Sequence, residues 1–389
     1  MHIAVPVETF ANETRVAATP ETVKKYIAAG CEVSVQKSAG LGSDVPDALF
    51  AEAGAKLTTS FADTCAAADL ILKVRPPSEK EMGGIKKGAV IASLFSPFTN
   101  PLLNAYNDAG LSCLSMEMIP RISRAQSMDV LSSQANIAGY KAVLLALEHY
   151  KRFMPLMMTA AGTVQPARVL VMGAGVAGLQ AIATARRLGA MVEAFDVRAA
   201  TKEQVESLGA KFVEVPLEEG VDEDSEDAGG YAKEMSDAYK QKQSALIHEH
   251  AIASDIIITT ALIPGKPAPI LITAETAKGM KSGSVIVDMA AEMGGNCPLT
   301  ELDAVYQTEN GVTLIGISNI AALIAADASN LYARNMYNYI QPMIDVESGS
   351  IELDMEDEII EGSLLCHEGK VLKTQFFGKM IADETGGKA

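Results

Sequence analysis

At 389 residues, with 48% apolar and 21% charged positions, the chain has a globular composition and length enough for two ordinary domains. Its 49 Asp and Glu against 32 Lys and Arg give a formal net charge of −17, which argues against nucleic acid, or an anionic membrane surface reached through a basic patch, as a partner. Charge or glycine interrupts every apolar run well short of the roughly twenty residues that cross a bilayer, so no direct membrane insertion is expected.

The start, MHIAVPVETF, lacks the basic and apolar regions of a signal peptide and reads as a first strand, so the mature chain is expected to begin here. Cys31, Cys65, Cys113, Cys297 and Cys366 are odd in number and scattered, as expected of reduced thiols in a cytosolic setting. HIAVPVE, CEVSVQK, ADLILKV, GAVIASLF and LSCLSMEM are short β-rich runs separated by helical or turn-rich stretches, the alternation of parallel βαβ units. Between the first two, Thr19 as cap, Pro20 at the first turn and Gly30 as stop delimit a helix. SAGLGSD, residues 38–44, has no third glycine and no apolar helix behind it, and reads as an ordinary turn.

PRISRAQSMDVLSSQ, residues 120–134, gathers Arg121, Arg124, Gln126, Asp129 and Ser132 between two apolar elements where the domains are predicted to meet. Two readings stay open: a capped helix start with surface charges, or polar groups of the first domain facing a ligand held by the second. LSSQANIAGYKAVLLALEHYKRF follows, with Ser132 or Ser133 as cap and Ile137, Tyr140, Leu144 and Leu147 on one face. It is predicted to be a long connecting helix whose stripe packs.

RVLVM, MVEAFD, KFVEV, DIIITTA, SVIVDMA and VTLIGIS then supply six strands, the complement of a doubly wound dinucleotide fold. GAGVAG follows the first of them directly: Gly173 for the tight turn, Gly175 for close approach to a pyrophosphate, Gly178 for helix–sheet packing. Asp196 ends the next strand, placed for the adenine ribose, and its charge favours NAD(H) over NADP(H). Thr201 and Gln204 suit a capping box. Residues 216–235 crowd eight carboxylates and read as a solvated, mobile loop. His248 and His250 do not share a helix face, so no metal site is expected. ALIAADASNLYARNMYNYIQPM and an acidic tail have no sheet of their own and are expected to return to the first domain. The predicted fold is therefore α/β: two doubly wound parallel-sheet, Rossmann-like domains linked by long helices, one of residues 1–132 with 320–389, the other of residues 133–319.

RISRAQSMD, SSQANIAGY, MTAAGTVQPARVLVMGAGVAGLQAIATARRLGA, FDVRAATKEQVESLGAKF, GGYAKEM, TTALIPGKPAP and GGNCPL together resemble the NAD(H)-binding alpha component of the proton-translocating nicotinamide nucleotide transhydrogenases, over essentially the whole chain. Alanine dehydrogenases share the superfamily. Oxidising an amino acid moves a proton as well as a hydride and calls for a positioned acid or base, whereas hydride exchange between two nicotinamides does not. Leu94 stands where those dehydrogenases carry a histidine, and Glu292 where they carry a catalytic aspartate. Arg15 and Lys73 match their substrate-binding positions and keep an amino-acid oxidoreductase as the alternative, although a strand-end lysine can equally pair with a carboxylate.

The resemblance implies a homodimer in which NADH on this chain passes a hydride to NADP⁺ on a beta subunit, coupled to proton movement by a membrane-spanning subunit. It implies a cytoplasmic location, peripheral at the cytoplasmic face of the inner membrane through those partners. They would be separate polypeptides, or this chain the soluble front of a longer one. By the same resemblance Arg121, Ile122, Ser123, Gln126, Asp129 and Ser132 surround the nicotinamide and its ribose, with Gln126, Arg121 and Asp129 steering the transfer. Gly173, Gly175, Val176 and Gly178 line the pyrophosphate, and Asp196, Val197 and Arg198 the adenosine end. Gly230, Tyr231 and Met235 lie on a closing lid, with Gln243 and Leu262 further along the pocket.

Overall fold

The structure, a computed structural model, describes residues 1–214, 237–345 and 347–377. The acidic segment from residue 215 to 236, and with it the expected lid residues Gly230, Tyr231 and Met235, lies outside the described residues. The chain divides into two compact units, one of Met1–Gln134 with the chain from Ala321 on, the other of Ala135–Ile320.

In chain order the strands are β1 (His2–Val5), β2 (Glu32–Gln36), β3 (Lys56–Thr58), β4 (Leu70–Leu72), β5 (Val90–Ser93) and β6 (Ser112–Ser115). A hairpin of β7 (Met157–Thr159) and β8 (Gly162–Val164) follows, then β9 (Arg168–Met172), β10 (Met191–Phe195), β11 (Lys211–Phe212), β12 (Ile256–Thr259), β13 (Val285–Asp288), β14 (Val305–Gln307) and β15 (Thr313–Ile315). The last are β16 (Ile344–Asp345), β17 (Ser350–Ile351), β18 (Leu364–His367) and β19 (Lys370–Val371).

The first unit is built on one sheet in the order β19-β18-β6-β5-β4-β1-β2-β3. β1 to β6 are all parallel, with Ile3 beside both Val33 and Leu70. Alternate residues of one strand point to opposite faces. Ile3, Val5, Leu70 and Leu72 accordingly fill one core and Ala4, Ile71 and Ile91 another, which is why these strands read as unbroken apolar runs. Three elements differ from the sequence expectation. β3 is a sixth parallel strand, too short to show in the apolar pattern. The segment after the sixth strand of the second unit is not without a sheet: β18 pairs antiparallel with β6, and β19 with β18. Its helix Ala325–Ile340 buries Ala328, Ser329, Tyr332, Ala333, Met336, Tyr339 and Ile340, a helical repeat of three and four. Thr19 caps the helix Pro20–Ala28 as the sequence indicates, its backbone N–H donating to Thr22 Oγ1.

The second unit carries a sheet in the order β11-β10-β9-β12-β13-β15-β14, parallel except for β14. Val169, Val171, Ile256, Ile258, Val285 and Val287 face one core; Leu170, Met172, Ile257 and Ile286 face the other. The order reverses between β9 and β12, and open α/β sheets hold ligands in the crevice beyond the strand ends at such a point. KFVEV contributes only Lys211–Phe212 as strand, and the edge strand β14 and the hairpin β7–β8 have no counterpart in the six-strand reading.

The helix Val130–His149 carries the chain from one unit into the other. Its buried face differs from the predicted stripe. Ala142, Val143, Leu145 and Ala146 are buried while Tyr140 is 42% exposed, because small residues let the helix lie close to its neighbours. A Cβ on Gly139 would meet Ala177 O at 2.1 Å. Neither predicted cap holds. The helix begins at Val130, where the Asp129 carboxylate accepts from Ser132 N at 2.8 Å and Ser132 Oγ at 2.6 Å, so Ser132 lies inside the first turn. Thr201 is likewise the first residue of its helix, and its hydroxyl donates back to Arg198 O, so no capping box forms there.

Candidate nucleotide site

β9 ends at Met172, and the helix Val176–Arg187 starts after three residues. Gly173 has φ +102°, in the region glycine reaches without cost, and a Cβ there would stand 2.5 Å from Thr260 Oγ1. A Cβ on Gly178 would lie 1.8 Å from Gly173 O. Packing alone therefore demands both. Gly175 is different: φ is −76° and ψ −170°, and nothing lies within 4 Å of its Cβ position. The fold needs no glycine here, yet the space before it is open and Val176 beside it is 40% exposed. First-turn N–H groups have no partner inside a helix and carry the positive end of its dipole. A cradle that one methyl group would fill, at a helix N-terminus, fits a pyrophosphate.

Asp196, at the end of β10, closes the turn from the next strand. Its Oδ2 accepts from Ala174 N at 2.7 Å and Arg198 Nη2 at 2.9 Å, and its Oδ1 from Arg198 N at 2.9 Å and Nε at 3.0 Å. With all four acceptor positions of the carboxylate engaged, a ribose hydroxyl can bond to Asp196 only by displacing part of this set. Arg198 is held to that carboxylate as well, with its side chain 26% exposed. Val197 is partly buried and packs against the core.

Beyond β12 the chain runs through Thr260, Ala261 and Leu262. Thr260 Oγ1 donates to Gly173 O (3.1 Å), and the Leu262 side chain is 47% exposed beside the crevice strands. Gln243 lies half-buried in the helix Asp237–Ala253. His248 bonds Thr276 and His250 bonds Glu193, so the two imidazoles serve different neighbours.

Arg121, Ile122, Ser123, Gln126, Asp129 and Ser132 belong to the first unit. Residues Ser123–Met128 form a 3₁₀ segment anchored by buried Ala125 and Met128 and tied to the helix Ala325–Ile340, where Asn335 and Asn338 donate to Ser127 O. The anchors leave Arg121, Ser123 and Gln126 exposed, and among the described residues the side chains of Arg121 and Gln126 have no hydrogen-bond partner. Part of the capped-start reading is met: Asp129 is the cap, and Arg124 is a surface charge, in a bidentate pair with Asp357 at 2.5 and 2.8 Å.

Arg15 and Lys73 lie at the carboxyl edge of the first sheet in a buried ionic cluster. Arg15 forks onto Glu13 at 2.6 and 2.7 Å, and Lys73 sits 3.4 Å from Glu8 and 3.5 Å from Glu81. Burial works to raise the Glu13 carboxyl, but Arg15 bonded to it and Arg75 beside it hold it below the ordinary value. Burial pushes Glu8 up against the pull of Lys73. Leu94, partly buried, offers no proton-carrying group, and Glu292 is exposed. The residues that sequence reasoning passed over are Thr260, Asp288 and Asn296. Their signal was a polar residue at the end of an apolar strand or directly after it, or one after the paired glycines of GGNCPL.

The family model described as "Alanine dehydrogenase/PNT, N-terminal domain" matches residues 4–138, and that described as "Alanine dehydrogenase/PNT, C-terminal domain" matches residues 142–374. The chain is 47% identical to an NAD(P) transhydrogenase alpha-subunit polypeptide of Rhodospirillum rubrum, over 97% of this chain and 100% of that one. The crystal structure of a transhydrogenase from Sinorhizobium meliloti superposes with a TM-score of 0.86 at 49% identity, covering 95% of this chain and 100% of that one. The alanine dehydrogenase of Halomonas elongata is 29% identical, over 95% of this chain and 94% of its own.

Proposed function

The chain belongs to the alanine dehydrogenase/PNT family, among its NAD(P) transhydrogenase alpha subunits, and from that premise we propose that it binds NADH and passes a hydride to NADP⁺ on a partner subunit. A membrane-spanning component would couple the exchange to proton translocation. The observation that carries this reading is Gly175: its glycine is required by no packing contact, and the space before it suits a pyrophosphate. The nucleotide supplies the hydride; the chain supplies binding and orientation. Gly173, Gly175, Val176 and Gly178 hold the diphosphate, Asp196, Val197 and Arg198 the adenosine end, and Leu262 and Gln243 the pocket beyond.

Arg121, Ile122, Ser123, Gln126, Asp129 and Ser132 contact the nicotinamide half. Exposure and lack of partners at Arg121 and Gln126 support this. Their work is positioning, with the two ring faces brought to about 3–3.5 Å. Gly230, Tyr231 and Met235 cover the nucleotide; resemblance alone supports that assignment. NAD(H) is preferred because Asp196 places negative charge where a 2′-phosphate would lie and keeps Arg198 occupied. The chain acts as a homodimer at the cytoplasmic face of the inner membrane through its partner subunits. No helix of the described residues is long and apolar enough to cross a membrane.

Mixing the purified chain with an NADP-binding subunit, NADH and an NADP⁺ analogue tests the reading. Reduction of the analogue at the expense of NADH is the expected result. NADH binding without transfer would leave only a binding module, and reduction of NAD⁺ by L-alanine without any partner would make the chain an amino-acid dehydrogenase.

A further inference from the structure

We infer that Asn296 is a positioning residue for the nucleotide site, fixing through its side-chain amide the loop that walls the crevice beyond β12; this rests on the nucleotide reading above. Residues 260–272, between β12 and the helix Ala274–Gly279, form no strand or helix, so their backbone groups need partners from elsewhere. One residue makes five of these bonds. Asn296 Oδ1 accepts from Ala261 N at 3.1 Å, and its Nδ2 donates to Ala261 O at 2.9 Å and Pro269 O at 2.8 Å. Its backbone carbonyl accepts from Leu271 N at 2.9 Å and Ile272 N at 3.0 Å. Asn296 is fully buried, so its own amide groups would stand unsatisfied in the interior without these partners, which are themselves half-buried or buried.

Asn296 is itself held. Asp288, fully buried at the end of β13, accepts from Thr259 Oγ1 and Ala290 N on one oxygen and from Cys297 N and Thr300 Oγ1 on the other, at 2.7–3.1 Å. Gly294 and Gly295, at φ +93° and +81°, give the turn that brings Asn296 inward, and a Cβ on Gly295 would meet Asp288 Oδ2 at 2.8 Å. The bonds therefore run from β13 through Asp288 to the N–H of Cys297, the residue after Asn296, and from Asn296 to both ends of the 261–272 loop. That loop begins beside Thr260, whose hydroxyl holds Gly173 O of the glycine turn, and carries Leu262. Strand ends β9, β12 and β13 are thus tied at the point where sheet order reverses. Asparagine is the side chain that meets the demand, one acceptor and two donors on a short stem. Aspartate lacks both donors, and leucine lacks all three groups.

The test compares Asn296→Ala and Asn296→Asp with wild type, and with Asn310→Ala as control, since Asn310 ties Ala277 O and Lys278 O away from the strand ends named above. NADH dissociation constants, transfer kinetics with the NADP-binding subunit, and amide hydrogen exchange are measured on the full chain. Loss of two or three buried bonds is expected to weaken NADH binding about ten- to a hundred-fold. The KM for NADH should rise in step, while the rate at saturation stays within about twofold. Exchange at Ala261, Leu271 and Ile272 should accelerate with β9 and β12 unchanged, and the control should lose stability but keep its affinity. If the alanine variant does not fold, the aspartate variant, which preserves size and the Ala261 N–H bond, carries the same expectation. Wild-type affinity in both Asn296 variants, or an equal loss in Asn310→Ala, overturns the role. A wild-type chain that does not bind NADH overturns the nucleotide reading and this inference with it.

Discussion

The glycine turn makes a prediction in which stability and binding separate. Replacing Gly175 by alanine puts a methyl group at φ −76°, where alanine is unstrained, with no atom within 4 Å. Restricting the unfolded chain contributes about 0.4–1 kcal/mol, and the poorer fit of alanine at this N-cap position offsets it by a similar amount, so the fold should keep its stability to within about 1 kcal/mol. The same methyl projects into the space assigned to the pyrophosphate, and steric intrusion of this kind costs about 1–3 kcal/mol. NADH affinity should fall about ten- to a hundred-fold. Gly178→Ala behaves in the opposite sense. Its Cβ would stand 1.8 Å from the Gly173 carbonyl oxygen, which is backbone and cannot swing aside. The turn must open, at a cost of at least about 1–3 kcal/mol, or roughly 2–4 °C of unfolding temperature per kcal/mol for a unit of this size. Thermal unfolding with parallel NADH titration reads both quantities. Normal NADH binding by a stable Gly175→Ala variant would refute the cradle, and a Gly175→Ala variant destabilised by more than about 1 kcal/mol, the most a poorer cap accounts for, would refute the claim that packing leaves that glycine unneeded.

Under the steering role proposed for Gln126, Gln126→Asn should bind NADH nearly as wild type but slow transfer to NADP⁺, its amide being one methylene shorter; equal loss of both in single-turnover and binding experiments would remove that role. Asp196→Ala frees Arg198 and removes a negative charge, so the ratio of NADPH to NADH affinity should rise about tenfold or more, each such factor being 1.4 kcal/mol; an unchanged ratio contradicts the specificity argument. Glu13 is held below its ordinary value of about 4.5, so the stability it contributes is present above that pH and is lost as pH falls through its lower folded value. Acid unfolding curves should show this decline in wild type and a flatter one in Glu13→Gln. At neutral pH the variant, with Arg15 left buried beside a neutral group, should be less stable by about 3–5 kcal/mol.

Most of the sheet architecture was legible because parallel strands buried on both faces read as apolar runs: RVLVM and SVIVDMA mark β9 and β13 without ambiguity. What escaped was short or polar. β3 has three residues, β11 two, and the β18–β19 pair lies in a segment whose acidic surroundings mask it. Caps were misplaced wherever a serine or threonine stood near the right position while a neighbour held the geometry, as Asp129 does for Ser132. At the glycine turn the spacing already divided the three glycines between turn, ligand approach and packing; what it does not show is the contact behind each, a Gly178 Cβ meeting the Gly173 carbonyl oxygen while the space at Gly175 stays open. The bond from Ala174 to Asp196 and those joining Asn296 to Ala261 and Pro269 link residues 22, 35 and 27 positions apart, which no local pattern encodes.

The most direct measurement follows isotope rather than absorbance. NADH carrying deuterium at the transferable C4 position is mixed with this chain, the NADP-binding subunit and NADP⁺, and the NADPH formed is analysed by mass spectrometry. Direct transfer between two oriented nicotinamides predicts that the label arrives in NADPH undiluted by solvent hydrogen. Label lost to water, or NADPH that forms only when an amino acid is supplied, would contradict the account.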